Sequence, residues 1–348
     1  MRSFFCRSGL FGTLLPICHT AARRREAYAT QCLIFGLSMT DYPNSGGREL
    51  PLPKGTATET EAHVKQRHWL LGLLALVVGV GALIGGSSAY WARRGPKAPT
   101  EIFGGVAYGC KRLDTTSEGS GMLHWVRINL AAPGIELYVT PLDPAAVAQG
   151  WQYRLRRIED VVDSEHLAVA INGALFASNP RWRPRISGDL ANGVETVVAD
   201  HVVSHVWEHT YLLWFDEELM PHLRPSKPPT AAELNMAKWG IGGQAVWLWD
   251  GKVWPGSDRT ADSRTAVAVD RPQKLLFLAV GENISPRLML QELADLGAKD
   301  GMLLDGGGSS SMAVGKEAAG ISAGVLYGGW RPVATHFGVR ARPTQLRK

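Results

Sequence analysis

From about residue 99 onwards the apolar positions come in short bursts. Trp125–Leu130 (WVRINL), Ile135–Val139 (IELYV), Leu167–Ile171 (LAVAI), Tyr211–Phe215 (YLLWF), Ala245–Trp249 (AVWLW), Thr265–Val269 (TAVAV), Leu275–Val280 (LLFLAV) and Gly301–Asp305 (GMLLD) are each five or six residues long. Many of these side chains are β-branched or aromatic, and turn formers separate the bursts, which predicts strands. Asp250-Gly251, between AVWLW and KVW, predicts a tight hairpin. Helical spacing is scarcer. Arg154–Glu165 reads as a short helix, and Thr230–Trp239 as another, with Thr230 as N-cap and Glu233 completing a capping box. The clearest is Ser285–Leu296: Ser285 caps it, Pro286 takes the first position, an apolar stripe runs through Leu290 and Leu293, and Gly297 stops it. Residues 99–348 are therefore expected to form one α+β domain, a strand-dominated mixed-sheet core with a few packed helices and no repeat of fixed period.

A different pattern precedes it. Trp69–Ala92 is 24 residues without a charge. As a helix it would be about 36 Å long, enough for the roughly 30 Å hydrocarbon core of a bilayer. Trp69, Tyr90 and Trp91 suit the two interfaces. Residues 69–92 are thus expected to be a single transmembrane anchor. Lys65 and Arg67 before it nearly balance Arg93, Arg94 and Lys97 after it. The domain beyond it is expected to lie outside the cytoplasm, periplasmic or extracellular. Residues 1–68 read as a polar tail. Within it, 1–38 hold three of the four cysteines and the run Arg23-Arg24-Arg25, unlike the Gly, Pro and Thr-rich stretch from Met39, so translation is expected to start at Met39.

Charge narrows the picture. The 348-residue chain carries a net +5 and has a pI near 9.0. Residues 1–98 hold 12 Lys and Arg against 5 Asp and Glu, while 99–348 hold 25 against 27. The basicity belongs to the tail and anchor flanks. A nearly neutral main domain argues against nucleic acid as partner. Cys110 is the domain's only cysteine, so no internal bridge is expected there.

The most informative stretch is Gly301–Met312, GMLLDGGGSSSM. A strand ends in Asp305, and Gly306, Gly307 and Gly308 remove every side chain and allow positive φ. Successive N–H groups can then face one concavity suited to an anion, with Asp305 beside it. That arrangement fits a carboxylate acting next to a bound phosphate.

Asp305–Met312, DGGGSSSM, resembles the hallmark of the phosphodiester glycosidase family, which includes the lysosomal uncovering enzyme and bacterial proteins of exopolysaccharide biosynthesis. Four further segments match in order: Ala170–Phe176 (AINGALF), Gly240–Gly251 (GIGGQAVWLWDG), Ser263–Asp270 (SRTAVAVD) and Arg331–Thr335 (RPVAT). Ala174 and Leu175 replace the family's glycine and phenylalanine, while Asn172 is retained. The resemblance implies hydrolysis of a sugar-1-phosphodiester, similar to an N-acetylglucosamine-1-phosphodiester, in envelope or exopolysaccharide metabolism. It points to Asp305, Arg264 and Asn172 as catalytic residues. Gly306, Gly307, Gly308, Ser309, Ser310, Gly242, Gly243 and Arg331 would bind substrate. Such a site must hold the phosphate, stabilise oxocarbenium-like charge and position a nucleophile. Arg264 offers a bidentate fork for phosphate oxygens, Asp305 a base, nucleophile or electrostatic stabiliser, and Asn172 a partner for a sugar hydroxyl or a water.

Arg181, Arg183 and Arg185 flank Trp182 in the polar loop Ser178–Asn192, a lip on which Trp182 would stack against sugar. His201, His205 and His209 recur every fourth residue, but in a strand they are too far apart for one ion. No cofactor is fixed by these patterns; Asp305 leaves room for a divalent cation such as calcium. The reading in a different class is a non-catalytic carbohydrate-binding or assembly protein of polysaccharide export, against which Asn172, Arg264 and Asp305 speak.

Overall fold

The computed structural model describes residues 99–344 apart from 180–182, 208–210, 226–227 and 258, and apart from the side chains of 114–115. The expected anchor at 69–92 and tail at 1–68 lie outside the described residues. Among the described residues, no helix is long and apolar enough to cross a membrane.

Strands and helices are numbered along the chain. The largest sheet has eight strands in the order β1 (Thr100–Phe103), β2 (Val106–Thr116), β3 (Gly119–Asn129), β17 (Leu275–Ile284), β16 (Asp262–Asp270), β18 (Asp300–Leu303), β14 (Ala245–Trp249) and β15 (Lys252–Val253). A second sheet has the order β20 (Gly324–Tyr327), β19 (Met312–Val314), β6 (Val169–Asn172), β21 (His336–Arg340) and β4 (Glu136–Val139). A third runs β10 (Val202–Val203), β9 (Val197–Ala199), β13 (Trp239–Gly243), β11 (Tyr211–Phe215) and β12 (Pro221–His222). A small sheet of β5 (Tyr153–Arg154), β8 (Leu190–Gly193) and β7 (Phe176–Asn179) lies beside them in sequence. Among the described residues the α-helices are α1 (Pro144–Val147), α2 (Ile158–Ser164), α3 (Ala231–Met236) and α4 (Pro286–Asp295). The expected strand-dominated α+β fold is what forms. Within it, every ladder between described strands is antiparallel; β16, for example, lies antiparallel to both β17 and β18.

Side chains on a strand alternate between faces, and here both faces of the central strands are covered. On β17, Leu276, Leu278 and Val280 enter the core between the sheets, while Phe277 and Ala279 face a second cluster with Met289, Leu290 and Leu293 of α4. On β6, Val169 and Ile171 enter the same inter-sheet core, while Ala170 packs under Ile158, Val161 and Val162 of α2. The layers are thus helix, sheet, sheet, helix. Burial on both faces explains why TAVAV and LLFLAV read as continuous apolar runs rather than as alternation.

Local signals act as the sequence predicts. Ser285 Oγ accepts from Leu288 N at 3.0 Å and donates to Glu118 Oε2 at 3.1 Å, starting α4. Thr230 and Glu233 form the full capping box of α3. Asp250 and Gly251 take φ of 50° and 71° in the hairpin. Two helices are shorter than expected. Tyr153 and Arg154 pair with β8, so α2 begins only at Ile158. Trp239 pairs with Phe215 and Ala199, so α3 stops at Met236.

Candidate active site

The ends of β6 and β18 meet the start of β19, and the glycine turn sits at that junction. Asn172, the last residue of β6, has no exposed surface. Its side-chain oxygen accepts from Thr265 Oγ1 of β16 at 2.7 Å and from Ser311 N at 3.0 Å. Its amide nitrogen donates to the Asp305 carbonyl at 2.7 Å. One side chain therefore clamps the large sheet, the second sheet and both ends of the Asp305–Ser311 turn. Where Asn172 was expected to meet a sugar or a water, its amide is turned inward and buried, and its hydrogen bonds hold the turn.

The turn is a single 3₁₀ turn over Gly307–Ser309, with Gly307 at φ 60°. Ser309 N donates to Gly306 O, and Ser310 N to Gly307 O. The Gly306 backbone and the Ser309 side chain lie beside the Asp305 carboxylate and favour its charged form. Part of the expected anion nest is thus used internally. Ser309 and Ser310 are 2% exposed, and the Ser310 hydroxyl is buried without a partner among the described residues. Gly308 is exposed, and its lack of a side chain has a clear reason. A Cβ there would lie 2.9 Å from Arg331 Nη1 and 3.3 Å from Trp330 Cζ2. The Arg331 fork and the Trp330 indole close directly on the turn.

Burial pushes the Asp305 carboxyl above its ordinary range, opposed by the Ser309 hydroxyl and by the charges of Arg185 and Arg331. Arg185 is held by Ser178 Oγ at 3.0 Å and lies 4.4 Å above the Phe176 ring. Its loop is shaped by Asp189, which accepts from both arms of Arg183 at 2.6 and 3.0 Å and from Ile186 N at 3.0 Å. Of the loop's three arginines, Arg183 is thus structural and Arg185 faces the carboxylate. Arg181 and Trp182 lie outside the described residues. Arg264 packs beside Gly306 and donates from Nη2 to the Thr260 carbonyl at 2.9 Å.

Sequence reasoning missed one residue altogether. Glu195 is 6% exposed, accepts from Leu175 N at 3.0 Å and has its carboxyl pushed up to about 7 by burial and, in smaller part, by the charge of Asp305. A buried carboxyl raised by burial and by a neighbouring, partly buried carboxylate is a signature of acid–base chemistry. Gly242 makes room for this one: a Cβ at Gly242 would lie 2.6 Å from Thr196 O and 2.7 Å from Glu195 Cβ. Gly243 presses on Leu303 O in the same way. Both glycines, expected to contact substrate, are buried and pack closely against neighbouring backbone.

No group of three or more His, Cys, Asp or Glu that could hold a metal occurs among the described residues. His201 Nε2 lies 2.8 Å from Glu217 Oε1, and His205 is occupied by Ser204 and Gln152. His209 lies outside the described residues.

The phosphodiester glycosidase family model matches residues 165–340, just over half of the chain and all of the residues assembled above. The chain belongs to the phosphodiester glycosidase family. Its fold is similar to that of the zebrafish N-acetylglucosamine-1-phosphodiester alpha-N-acetylglucosaminidase catalytic domain auto-inhibited by its pro-peptide, with a TM-score of 0.50 and 15% identity, covering 73% of this chain and 93% of that one. Also similar are a hypothetical protein from Synechocystis (TM-score 0.45, 15% identity, 68% of this chain and 62% of that) and a putative exported protein from Burkholderia pseudomallei (TM-score 0.44, 12% identity, 64% and 74%). Comparison with curated proteins by sequence gives no match. The family match begins at Glu165, so β1 to β4, which extend and flank the two main sheets, precede it.

Proposed function

We propose that this phosphodiester glycosidase-family domain hydrolyses a sugar-1-phosphodiester, releasing the sugar from the phosphate. The observation that carries the reading is a pair of carboxyls, the buried Glu195 and the partly buried Asp305, set against a glycine turn and two arginines. The phosphate is held by Arg331 and Arg185, with Arg264 supporting the turn and Gly307 and Gly308 contributing backbone donors. Asp305, beside Ser309 and Gly306, stabilises positive charge developing at the anomeric carbon. Glu195 takes a proton from the attacking water, and a carboxyl that titrates near neutral pH suits that role. The water oxygen bonds to the anomeric carbon, the bond from that carbon to the phosphate oxygen breaks, and its electron pair stays on the phosphate. The products are a free sugar and a phosphate monoester. A phosphate monoester leaves readily, so no strong acid is needed on that side. N-acetylglucosamine is the sugar we favour, on the family resemblance.

Anchoring by residues 69–92, an extracytoplasmic domain and a role in the cell envelope or exopolysaccharides belong to the same proposal. They are supported by the 24-residue uncharged run and by the near-neutral domain charge. The test is release of sugar from an N-acetylglucosamine-1-phosphodiester by the purified protein. Asp305→Asn is expected to lower kcat by about 10³-fold, the scale of removing one charge-stabilising group. No release by wild type, or undiminished release by the variant, sinks the reading.

A further inference from the structure

Tyr327 closes a ring of contacts around the glycine turn. Its hydroxyl lies 2.7 Å from Ser263 Oγ, so one hydrogen bond joins β20 of the second sheet to β16 of the large sheet. Each partner begins an arm that leads to an arginine at the turn. On one arm the Ser263 carbonyl packs on Gly306, 3.1 Å from where a Cβ would stand, and Arg264 follows it. On the other, Gly328 and Gly329, at φ 64° and 82°, turn the chain so tightly that a Cβ on Gly328 would lie 2.0 Å from Ser310 O. Two residues later Arg331 reaches Gly308, whose Cβ would lie 2.9 Å from Nη1. The course of this second arm therefore sets where the Arg331 guanidinium stands.

That arm is lightly held at its root. β20 is an edge strand of four residues, paired with β19 on one side only, and the register of that ladder shifts beside Tyr327. Val325 is 41% exposed, and Leu326 and Tyr327 are half-buried. Segments with so little buried surface open locally at low cost. The bond to Ser263 counters this, because β16 is paired on both sides, with β17 and β18. We propose that Tyr327 is a positioning residue for the anion site: its bond to Ser263 pins the root of the Gly328–Arg331 arm and keeps Arg331 on the glycine turn, where the phosphate is held. This rests on the phosphodiester reading above and adds how one of its arginines is kept in place.

Tyr327→Phe removes the hydroxyl and keeps the ring, whose centroid lies 6.2 Å from that of the buried His124. Calorimetric titration of the full chain with inorganic phosphate is expected to show about three- to tenfold weaker binding in this variant, the scale of one neutral hydrogen bond. Ser263→Ala is expected to do the same, and the double variant to be no worse than either single one, since all remove one bond. In an Arg331→Ala background Tyr327→Phe is expected to cost nothing further. Amide hydrogen exchange of the peptide spanning Gly328–Arg331 is expected to be faster in Tyr327→Phe by a similar factor. Phosphate affinity equal to that of wild type, unchanged exchange, or a loss that adds in full to that of Arg331→Ala overturns the role, since a general loosening of the fold would add. The two readings fail separately. Phosphate binding that depends on Tyr327 through Arg331, with no cleavage of the diester, removes the catalysis and keeps the positioning. Cleavage by wild type, with full phosphate affinity in Tyr327→Phe, does the reverse.

Discussion

Glu195 is the residue on which the acid–base reading turns. Its carboxyl is held at about 7 by burial first and by Asp305 second. If it takes the proton of the attacking water, kcat/KM should rise with pH as Glu195 ionises and level off above about 7. Glu195→Gln keeps an acceptor for Leu175 N and cannot ionise. It is expected to abolish that limb of the profile and to lower kcat by about 10²–10⁴-fold, the usual contribution of a general base. A variant whose pH profile still rises through the same range would assign the limb to another group. Asn172 makes the complementary case. Its side chain bonds Thr265, Ser311 and the Asp305 carbonyl with no surface exposed. Asn172→Ala leaves those groups buried and unsatisfied at roughly 1–3 kcal/mol each. Denaturant titration should show a loss of about 3 kcal/mol or more, with kcat falling because the turn is released. A stable Asn172→Ala protein with low kcat would instead make Asn172 a direct participant.

At the scale of elements, the site depends on how closely β13 passes the segment that carries Glu195. Gly242→Ala puts a methyl 2.6 Å from Thr196 O, a contact that backbone cannot yield cheaply. The strand must move, and Glu195 with it. The expected result is a kcat loss of at least about tenfold together with a shift of the Glu195 limb, measured as a pH–rate profile, since a displacement of about 1 Å at a site is costly. The same scale shows why two helix expectations ran long. The Arg154–Glu165 and Thr230–Trp239 patterns are compatible with helix locally, yet Arg154 and Trp239 each find a strand partner far away in sequence. By contrast Ser285, Pro286 and Gly297 bound α4 by local chemistry alone, and there the predicted ends hold to within one residue.

For the whole molecule, buried titratable groups set opposing pH dependences. Burial holds His124 down to about 4 and His336 down to about 3, from an ordinary 6.5. Between 6.5 and those values the unfolded chain binds two protons that the folded chain refuses, so stability falls as pH falls. Glu195 works the other way. Its folded carboxyl keeps a proton up to about 7 and its unfolded one only up to 4.5, so its contribution is present at low pH and lost as pH rises through 7. From pH 6.5 to 4.5 these effects partly cancel. Glu195→Gln leaves the histidines unopposed, and its stability is expected to fall more steeply on acidification, by roughly 1.4 kcal/mol per pH unit. Urea midpoints at the two ends of that window check it; parallel wild-type and variant slopes would mean that Glu195 titrates normally in the folded chain.

What could be read without the fold is what depends on neighbours along the chain. The burst pattern predicted the strands, the caps predicted α4, and five ordered segments carried the family, with Asp305 and its glycines at their centre. What could not be read is what depends on neighbours in space. Nothing adjacent in sequence marks Glu195, because its burial comes from Gly242 and its hydrogen bond from Leu175. Nothing distinguishes Arg185 from Arg183 until Asp189 takes one and Phe176 and Ser178 orient the other. Trp330 reads as one tryptophan among 12, and only the Gly328-Gly329 turn sets it against Gly308. The sequence by itself determined which backbone could form and which carboxylate sits on the glycine turn, since those are local matters of φ, periodicity and capping. The tertiary structure alone decided which charges share that carboxylate's field, because burial and electrostatics act through space and are blind to sequence order.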